Sequence, residues 1–196
     1  GVWNHVGLDH FAFADVRRNG RASAFADWFE CVFDERGDLI GWQGWSRVNG
    51  SLPEFRHIGA DIAPGPKAHV MAVTRRWMDP NGDGDPSDGI DGWRLDVAAE
   101  IGADFWKDWR EQVKSLNPDA LIVAEIWGDA SDMLNDEAFD SQMNYPFAYP
   151  VADWLSTGNR DTLGNARVVA HRLGQVYDNG PEIDLVQLNL MTSHDT

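Results

Sequence analysis

Two carboxylate residues follow apolar segments of the chain at a spacing suited to acid–base chemistry. Asp96 lies in the apolar run at 93–98, and Glu125 lies 29 residues later in the run at 120–126. That interval fits one helix plus one strand, so the two carboxyl groups are expected on neighbouring strands. Glycoside hydrolysis needs such a pair, because one carboxylate attacks or stabilises the anomeric carbon and the other protonates the leaving oxygen.

The neighbours of the two carboxylates suggest how the roles divide. Arg94 precedes Asp96 by two residues, so both side chains of a strand point the same way. A fixed cation favours the ionised carboxylate, which makes Asp96 the candidate nucleophile. Glu125 lies in an apolar strand and is followed by Trp127, surroundings that let a carboxyl group carry a proton near neutral pH. Glu125 is therefore the candidate general acid/base.

Strand and helix patterns alternate along most of the chain. Helical spacing predicts helices over 66–78, 105–116, 151–155 and 163–177, and apolar runs predict strands over 93–98, 120–126, 139–144 and 184–190. Strands that alternate with helices indicate a parallel sheet, and the pattern fits an α/β barrel or part of one. Active sites of such barrels form at the carboxyl ends of the strands, where Asn4, His5, Arg94, Asp96, Glu125, His194 and Asp195 fall.

The segment from residue 6 to residue 64 has no sustained helical or strand periodicity and is rich in Gly, Asp, Arg and Trp. We interpret it as a long excursion with short elements, which usually carries function. Trp45 and Trp127 are favoured as contacts for sugar rings among six aromatic candidates: Trp3, Trp28, Trp42, Trp45, Trp127 and Tyr145.

The charge balance excludes several classes of partner. Against 16 Lys and Arg there are 32 Asp and Glu, a formal net charge of −16. Such a chain repels phosphate backbones and anionic lipid heads, so nucleic-acid and membrane-surface binding are not expected. Cys31 is the single cysteine, which excludes an intrachain disulfide and a cysteine-based zinc site.

An acidic, glycine-rich segment precedes the strand that carries Asp96. Its candidate ligands alternate with Gly and Pro like the start of a calcium loop: Asp79, Asn81, Asp83, Asp85 and Asp88. Ile90 stands at the twelfth position, where an EF-hand has Glu. The segment predicts either a Ca²⁺ site of another geometry or a solvated acidic turn.

Four sequence motifs, taken in order, resemble the α-amylase family of glycoside hydrolases, and most closely its neopullulanase, cyclomaltodextrinase and maltogenic-amylase branch. They are GVWNH, GWRLDVAAE, AEIWGDA and MTSHD, and FDSQMNYPF is similar to a further segment of that branch. The motifs span the whole chain. Departures from the branch pattern are Glu54-Phe55-Arg56 after Leu52-Pro53, Ala124 for a usual Gly, and Ala99 before Glu100.

The resemblance implies a role for each matching residue. Asp96 matches the nucleophile, Glu125 the general acid/base, and Asp195 the carboxylate that grips sugar hydroxyls. His5 and His194 match the histidines that bind the same sugar, and Arg94 matches the arginine beside the nucleophile. Asn4 matches a position that is structural or a calcium ligand in many members. Glu100 and Trp127 are expected near the acceptor side of the substrate.

The resemblance also implies an architecture and an activity. The fold expected is a partial (β/α)8 TIM barrel with an inserted loop domain after strand three: 1–5 ends strand three, 6–64 is the insertion, and 65–196 runs to the end of strand seven. We expect a catalytic-domain fragment, inactive when isolated, of an enzyme that hydrolyses α-glucosidic bonds in maltooligosaccharides, cyclodextrins or starch-like α-glucans with retention. The alternatives are an α-glucan transglycosylase with the same residues and, distantly, a non-catalytic interaction module of the same fold.

Overall fold

Short antiparallel strands occupy the first third of the chain, and longer helices alternate with parallel strands after it. The computed structural model describes residues 1–45, 52–156 and 162–195. Its helices are α1 (Phe11–Asn19), α2 (Pro64–Met78), α3 (Ala103–Leu116), α4 (Tyr145–Ser156), α5 (Thr162–Val176) and α6 (Pro181–Asp184). Its strands are β1 (Cys31–Phe33), β2 (Leu39–Trp42), β3 (Gly44–Trp45), β4 (Leu52–Pro53), β5 (His57–Ile58), β6 (Asp61–Ile62), β7 (Gly92–Leu95), β8 (Leu121–Ala124), β9 (Ser141–Asn144) and β10 (Leu188–Asn189).

The chain divides into two compact units. The first unit comprises residues 1–91 and 95–120, and the second comprises 92–94 and 121–196. In the first unit, β1 pairs with β2, β3 with β4, and β5 with β6, each pair antiparallel. None of the helices in the described parts of the chain is long and apolar enough to span a membrane. The predicted division at residues 5 and 64 stays a prediction.

The sheet of the second unit has the strand order β10-β9-β8-β7. Parallel pairing places Val123 of β8 opposite Ser141 of β9, and Met143 of β9 opposite Leu188 of β10. Gly92 opens β7, and a side chain there would meet the Leu121 carbonyl oxygen at 2.3 Å, so this approach of β7 to β8 requires glycine. Helix α3 separates β7 from β8, and helices α4 to α6 separate β9 from β10, which confirms the predicted α/β class.

Helix α3 shows how hydrophobic spacing becomes packing in the first unit. Phe105, Trp106, Trp109 and Val113 are all fully buried or nearly so, and they lie on one face of the helix. The helix ends before Asn117-Pro118, as proline disfavours helical backbone in the residue before it. The indole nitrogen of Trp109 donates a hydrogen bond of 2.8 Å to the hydroxyl of Thr74 on α2.

Several elements differ from the sequence-based expectations. The segment 6–64 contains a nine-residue helix, α1, which the lack of sustained periodicity did not predict. The strand predicted over 184–190 is only Leu188–Asn189, because Pro181 starts the short helix α6 that includes Asp184. Helix α4 begins at Tyr145, six residues before the predicted start, directly after β9.

Aromatic side chains of the first unit pack around a pair of histidines. The rings of His10 and His69 lie 5.5 Å apart at a steep angle, and Phe11 and Trp28 contact His69 at ring distances of 5.2 and 5.6 Å. Burial lowers the pKa of His69. Burial also lowers the pKa of His10, and positive charge on His69 lowers it further, while Asp9 opposes the shift.

The bond between α2 and α3 gives a first test. In the protein that contains this chain, Trp109→Phe is expected to lower the free energy of unfolding by about 1–2 kcal/mol, because the Thr74 hydroxyl is left buried without its donor. The matched control is Trp77→Phe, at a residue of α2 that is 58% exposed, with an expected change within about 0.5 kcal/mol. Denaturant unfolding measures both, and equal losses would contradict the proposed importance of the bond.

The histidine pair gives a second test, in the pH dependence of stability. The unfolded chain binds protons at a histidine pKa of about 6.5, whereas the folded pair binds them only at lower pH. The free energy of unfolding should therefore be fully retained above that value and fall as pH drops below it, down to the lowered pKa values. The double variant His10→Gln, His69→Gln should flatten this slope, whereas His171→Gln, at an exposed residue, should leave it unchanged.

Candidate active site

Asp96 follows β7 directly and is fixed through its backbone to the first residues of the chain. Its amide nitrogen donates a hydrogen bond of 2.9 Å to the carbonyl of Gly1, and Val2 forms a parallel bridge with Asp96. The segment that carries His5 thus lies beside Asp96. The His5 Nε2 lies 4.0 Å from the Asp96 carboxylate.

His5 is held on two further sides. Its ring stacks on Trp45 with a centroid distance of 4.6 Å and an angle of 10°, and its backbone bridges to Glu54. Burial lowers the pKa of His5, and the negative charges of Asp96 and Glu54 only partly offset this effect. The imidazole is therefore neutral at pH 7, a form in which it donates one hydrogen bond and accepts another.

The backbone after Asp96 is strained. Val97 has φ 41° and ψ 45°, the left-handed region, and is the single non-glycine residue with positive φ among the described residues. A β-branched residue in this region is a genuine outlier, at a cost of about 1–3 kcal/mol. The turn follows Asp96 and leads into a 3-10 turn over Ala98–Glu100.

Asn4 and Glu100 line a polar cavity of about 380 Å³ in the first unit. Its other lining residues are Glu30, Gln43, Glu54, Phe55 and His57. Asn4 is 1% exposed, and its Oδ1 lies 3.2 Å from the Nε2 of His57. Amide and carboxylate groups that face one cavity suit the hydroxyl groups of a sugar or a hard cation.

Glu125 of the second unit follows β8 and is only 4% exposed. Its Oε1 lies 2.7 Å from a guanidinium nitrogen of Arg94, and the indole nitrogen of Trp127 donates to the same oxygen at 3.3 Å. Arg94 was expected to serve Asp96, and that role stays a prediction. Within the second unit, Arg94 contacts Glu125.

Asp195 and His194 form an ion-pair geometry near the end of the described chain. The Nε2 of His194 lies 3.2 Å from the Asp195 carboxylate, and the two side chains are 71% and 35% exposed. The Asp195 amide donates a hydrogen bond of 3.1 Å to the hydroxyl oxygen of Ser193. Both side chains are thus accessible for contact with a ligand.

Three carboxylates of the acidic segment come together. Asp79, Asp83 and Asp88 each offer an oxygen, and these oxygens lie within 4.8 Å of one another. Asn81 donates to Asp83 and Asp88 at 3.1 and 2.6 Å. Asp85 instead accepts a hydrogen bond from the Ser87 amide, and this bond lowers the pKa of Asp85.

The predicted site residues are distributed between the two units. Asp96, His5, Glu100 and the acidic segment belong to the first unit, and Arg94, Glu125, Trp127, His194 and Asp195 belong to the second. Sequence reasoning missed Val97, because nothing in a valine signals a left-handed backbone. It also treated Tyr145 only as a possible sugar contact, whereas this residue is fully buried.

Known proteins with similar sequences were found over most of the chain. Neopullulanase 2 of Thermoactinomyces vulgaris is 40% identical over 159 residues, which cover 80% of this chain and 25% of that protein. A cyclomaltodextrinase of Thermoanaerobacter pseudethanolicus is 33% identical over 198 residues, which cover 100% of this chain and 32% of that protein. The chain thus spans between a quarter and a third of the length of these relatives.

A solved structure and a family model agree with these matches. The cyclic α-maltosyl-(1→6)-maltose hydrolase of Arthrobacter globiformis, in complex with maltose, has a TM-score of 0.80 and 31% identity, covering 99% of this chain and 41% of that one. The likeness confirms the partial TIM barrel. The model of the α-amylase catalytic domain matches residues 64–196. On these grounds the chain belongs to the α-amylase family of glycoside hydrolases.

Proposed function

We propose that the protein containing this chain hydrolyses α-glucosidic bonds of maltooligosaccharides, cyclodextrins or starch-like α-glucans with retention of configuration. The observation that carries the proposal is Glu125, a carboxylate 4% exposed that contacts Arg94 and Trp127 just after a parallel strand. A carboxyl group buried there costs stability, so its presence is better explained by chemistry than by packing. Family membership supplies the reaction class.

In the first step, a carboxylate oxygen of Asp96 attacks the anomeric carbon. The glycosidic C–O bond breaks, and the electron pair goes to the leaving oxygen, which takes a proton from Glu125. The product is a covalent glycosyl-Asp96 ester and a shortened sugar. The strained turn at Val97 fixes the backbone that carries this nucleophile.

In the second step, Glu125 acts as the base. It takes a proton from a water molecule, the water oxygen attacks the anomeric carbon, and the bond to Asp96 breaks with return of the carboxylate. Two inversions give net retention. Asp195, His194 and His5 are proposed to bind hydroxyl groups of the reacting sugar, and Glu100 is proposed to contact the acceptor side.

The same residues support transfer when a sugar hydroxyl replaces water. Trp127 is 48% exposed while its ring stacks on Tyr145, so part of the indole surface is free to contact an acceptor sugar. Exposed aromatic surface favours sugar binding over water at this side. The products formed from maltotriose decide between the two, because transfer yields chains longer than the substrate.

The carboxylates provide the direct test. In the protein that contains this chain, Asp96→Asn and Glu125→Gln should each lower kcat on maltotriose by at least about 10³-fold, because one removes the nucleophile and the other the proton donor. Azide should restore turnover to Asp96→Ala and yield a glycosyl azide of inverted configuration.

The matched control is Glu111→Gln, at an exposed residue of α3, which should keep the wild-type rate. If either carboxamide variant retained more than about a tenth of the wild-type kcat, the assigned roles would be wrong.

We further propose that the acidic segment binds one Ca²⁺ through Asp79, Asp83 and Asp88. The residues fit a hard cation, because they supply clustered carboxylate oxygens. Five Asp and no Lys or Arg occupy residues 79–91, so the carboxylates repel one another when no cation is bound. The ion would neutralise the carboxylates of the segment that leads into β7. Rotation of the Asn81 amide would add a further oxygen ligand.

Chelation tests the calcium proposal. EDTA should lower the melting temperature of the protein by a few degrees, because loss of a bound ligand removes its contribution to stability. Asp83→Ala should abolish this sensitivity, whereas Asp119→Ala, at an exposed residue outside the segment, should retain it. An identical melting curve with and without EDTA would instead support a solvated acidic turn.

A further inference from the structure

Tyr145 is a fully buried residue of the second unit whose ring and hydroxyl group contact different parts of the chain. It opens α4 immediately after β9 and is 0% exposed. It packs with Val123, Met143 and Leu190 in a hydrophobic cluster. Phenylalanine would fill the same space, so packing alone does not explain the hydroxyl group.

The ring of Tyr145 supports the side chain that contacts Glu125. Tyr145 and Trp127 stack with a centroid distance of 4.8 Å and an angle of 17°. Trp127 in turn donates its indole N–H to Glu125 Oε1 at 3.3 Å. Since Trp127 is half exposed, the buried tyrosine ring is the fixed surface that limits the orientations of the indole.

The hydroxyl of Tyr145 reaches the segment that carries Asp195. It donates a hydrogen bond of 3.1 Å to the Ser193 hydroxyl oxygen, across 48 residues of sequence. The same oxygen accepts the Asp195 amide at 3.1 Å. Through the Ser193 hydroxyl, the Tyr145 hydroxyl therefore restrains the backbone of Asp195, whose side chain is exposed.

We propose that Tyr145 is a positioning residue for two carboxylates, Glu125 through Trp127 and Asp195 through Ser193. This inference rests on the proposed function, since it assumes that both carboxylates act on substrate. Tyr145 itself needs no contact with the sugar. The ring arm is the contact of the Tyr145 ring with Trp127, which acts on Glu125. The hydroxyl arm is the hydrogen bond of the Tyr145 hydroxyl to Ser193, which acts on Asp195. Mutation can separate the two arms.

The hydroxyl arm is tested with Tyr145→Phe, Ser193→Ala and the double variant in the protein that contains this chain. Tyr145→Phe should lower kcat/KM about fivefold, the size expected for one hydrogen bond. The double variant should lose no more than Ser193→Ala alone, because both changes break one link. Tyr149→Phe, on the same helix, is the control and should match wild type in kcat/KM.

The ring arm is tested with two substrates that differ in their need for a proton donor. Maltotriose has a sugar leaving group, whereas 2,4-dinitrophenyl α-maltoside releases a weakly basic phenolate without protonation. Tyr145→Leu should show the fivefold loss in kcat/KM on both substrates and a further loss of about tenfold in kcat/KM on maltotriose only, because kcat/KM reports the first step, in which only the sugar leaving group needs a proton. Trp127→Phe removes the N–H at a half-exposed residue, so it folds without a buried cavity and should show the same selective loss.

The results separate this inference from the proposed function. Glu125→Gln, run in the same assays, should lose kcat/KM on maltotriose far more than on the aryl maltoside; equal losses in kcat/KM would overturn the acid role and the ring arm with it. Wild-type kinetics of Tyr145→Phe, or multiplying losses in the double variant, would overturn the hydroxyl arm with the function intact. Equal losses of Trp127→Phe on both substrates would overturn the ring arm.

Discussion

Removal of the Glu125 carboxylate from water is the constraint on which the second unit is built. An ionised carboxylate with no partner in the interior costs several kcal/mol, so the surrounding strands must supply charge and hydrogen bonds. Arg94 of β7 supplies the charge at 2.7 Å, and its Nε donates to the sulfur of Met143 on β9 at 3.4 Å. Three neighbouring strands thus contribute to one contact, and the strand order β9-β8-β7 is what allows it. Glycine at residue 92 follows from the same requirement, because it permits the close approach of β7 to β8.

The acidic composition leaves few cations available to pair with the carboxylates of the chain. There are half as many Lys and Arg as Asp and Glu, and one Lys of the first unit serves two carboxylates at once. Lys67 of α2 contacts Asp61 of β6 at 2.5 Å and Asp108 of α3 at 2.6 Å, and so joins three elements of the first unit. Ion pairs of this kind contribute more when they form a network than when they are isolated at the surface. The surplus negative charge is compatible with a neutral sugar substrate.

The sequence predicted those parts of the fold that depend on local pattern. Helix α3 and strands β8 and β9 follow directly from apolar spacing and from Asn117-Pro118. Helix α1 was missed because it is short and has no side-chain cap to mark its start. Asp96 and Glu125 could be proposed from the sequence because active-site residues of parallel α/β barrels stand at strand ends. The contacts of Tyr145 could not, because they join residues 18 and 48 positions away, and only the folded chain brings these together.

The two proposed catalytic carboxylates are fixed by different physical means. Glu125 is oriented by side chains, a guanidinium and an indole, so its environment changes when one of those side chains is replaced. Asp96 is held by its backbone, through the amide bond to Gly1 and the left-handed turn at Val97, and its carboxylate also lies 4.0 Å from His5 Nε2. The strain at Val97 persists only because surrounding contacts hold the turn. Part of the free energy of folding therefore offsets this strain, and the turn sets the direction of the Asp96 side chain. A nucleophile must approach the anomeric carbon along one direction, whereas a proton donor tolerates a range of positions. This difference matches the strained backbone at Asp96 and the side-chain partners at Glu125.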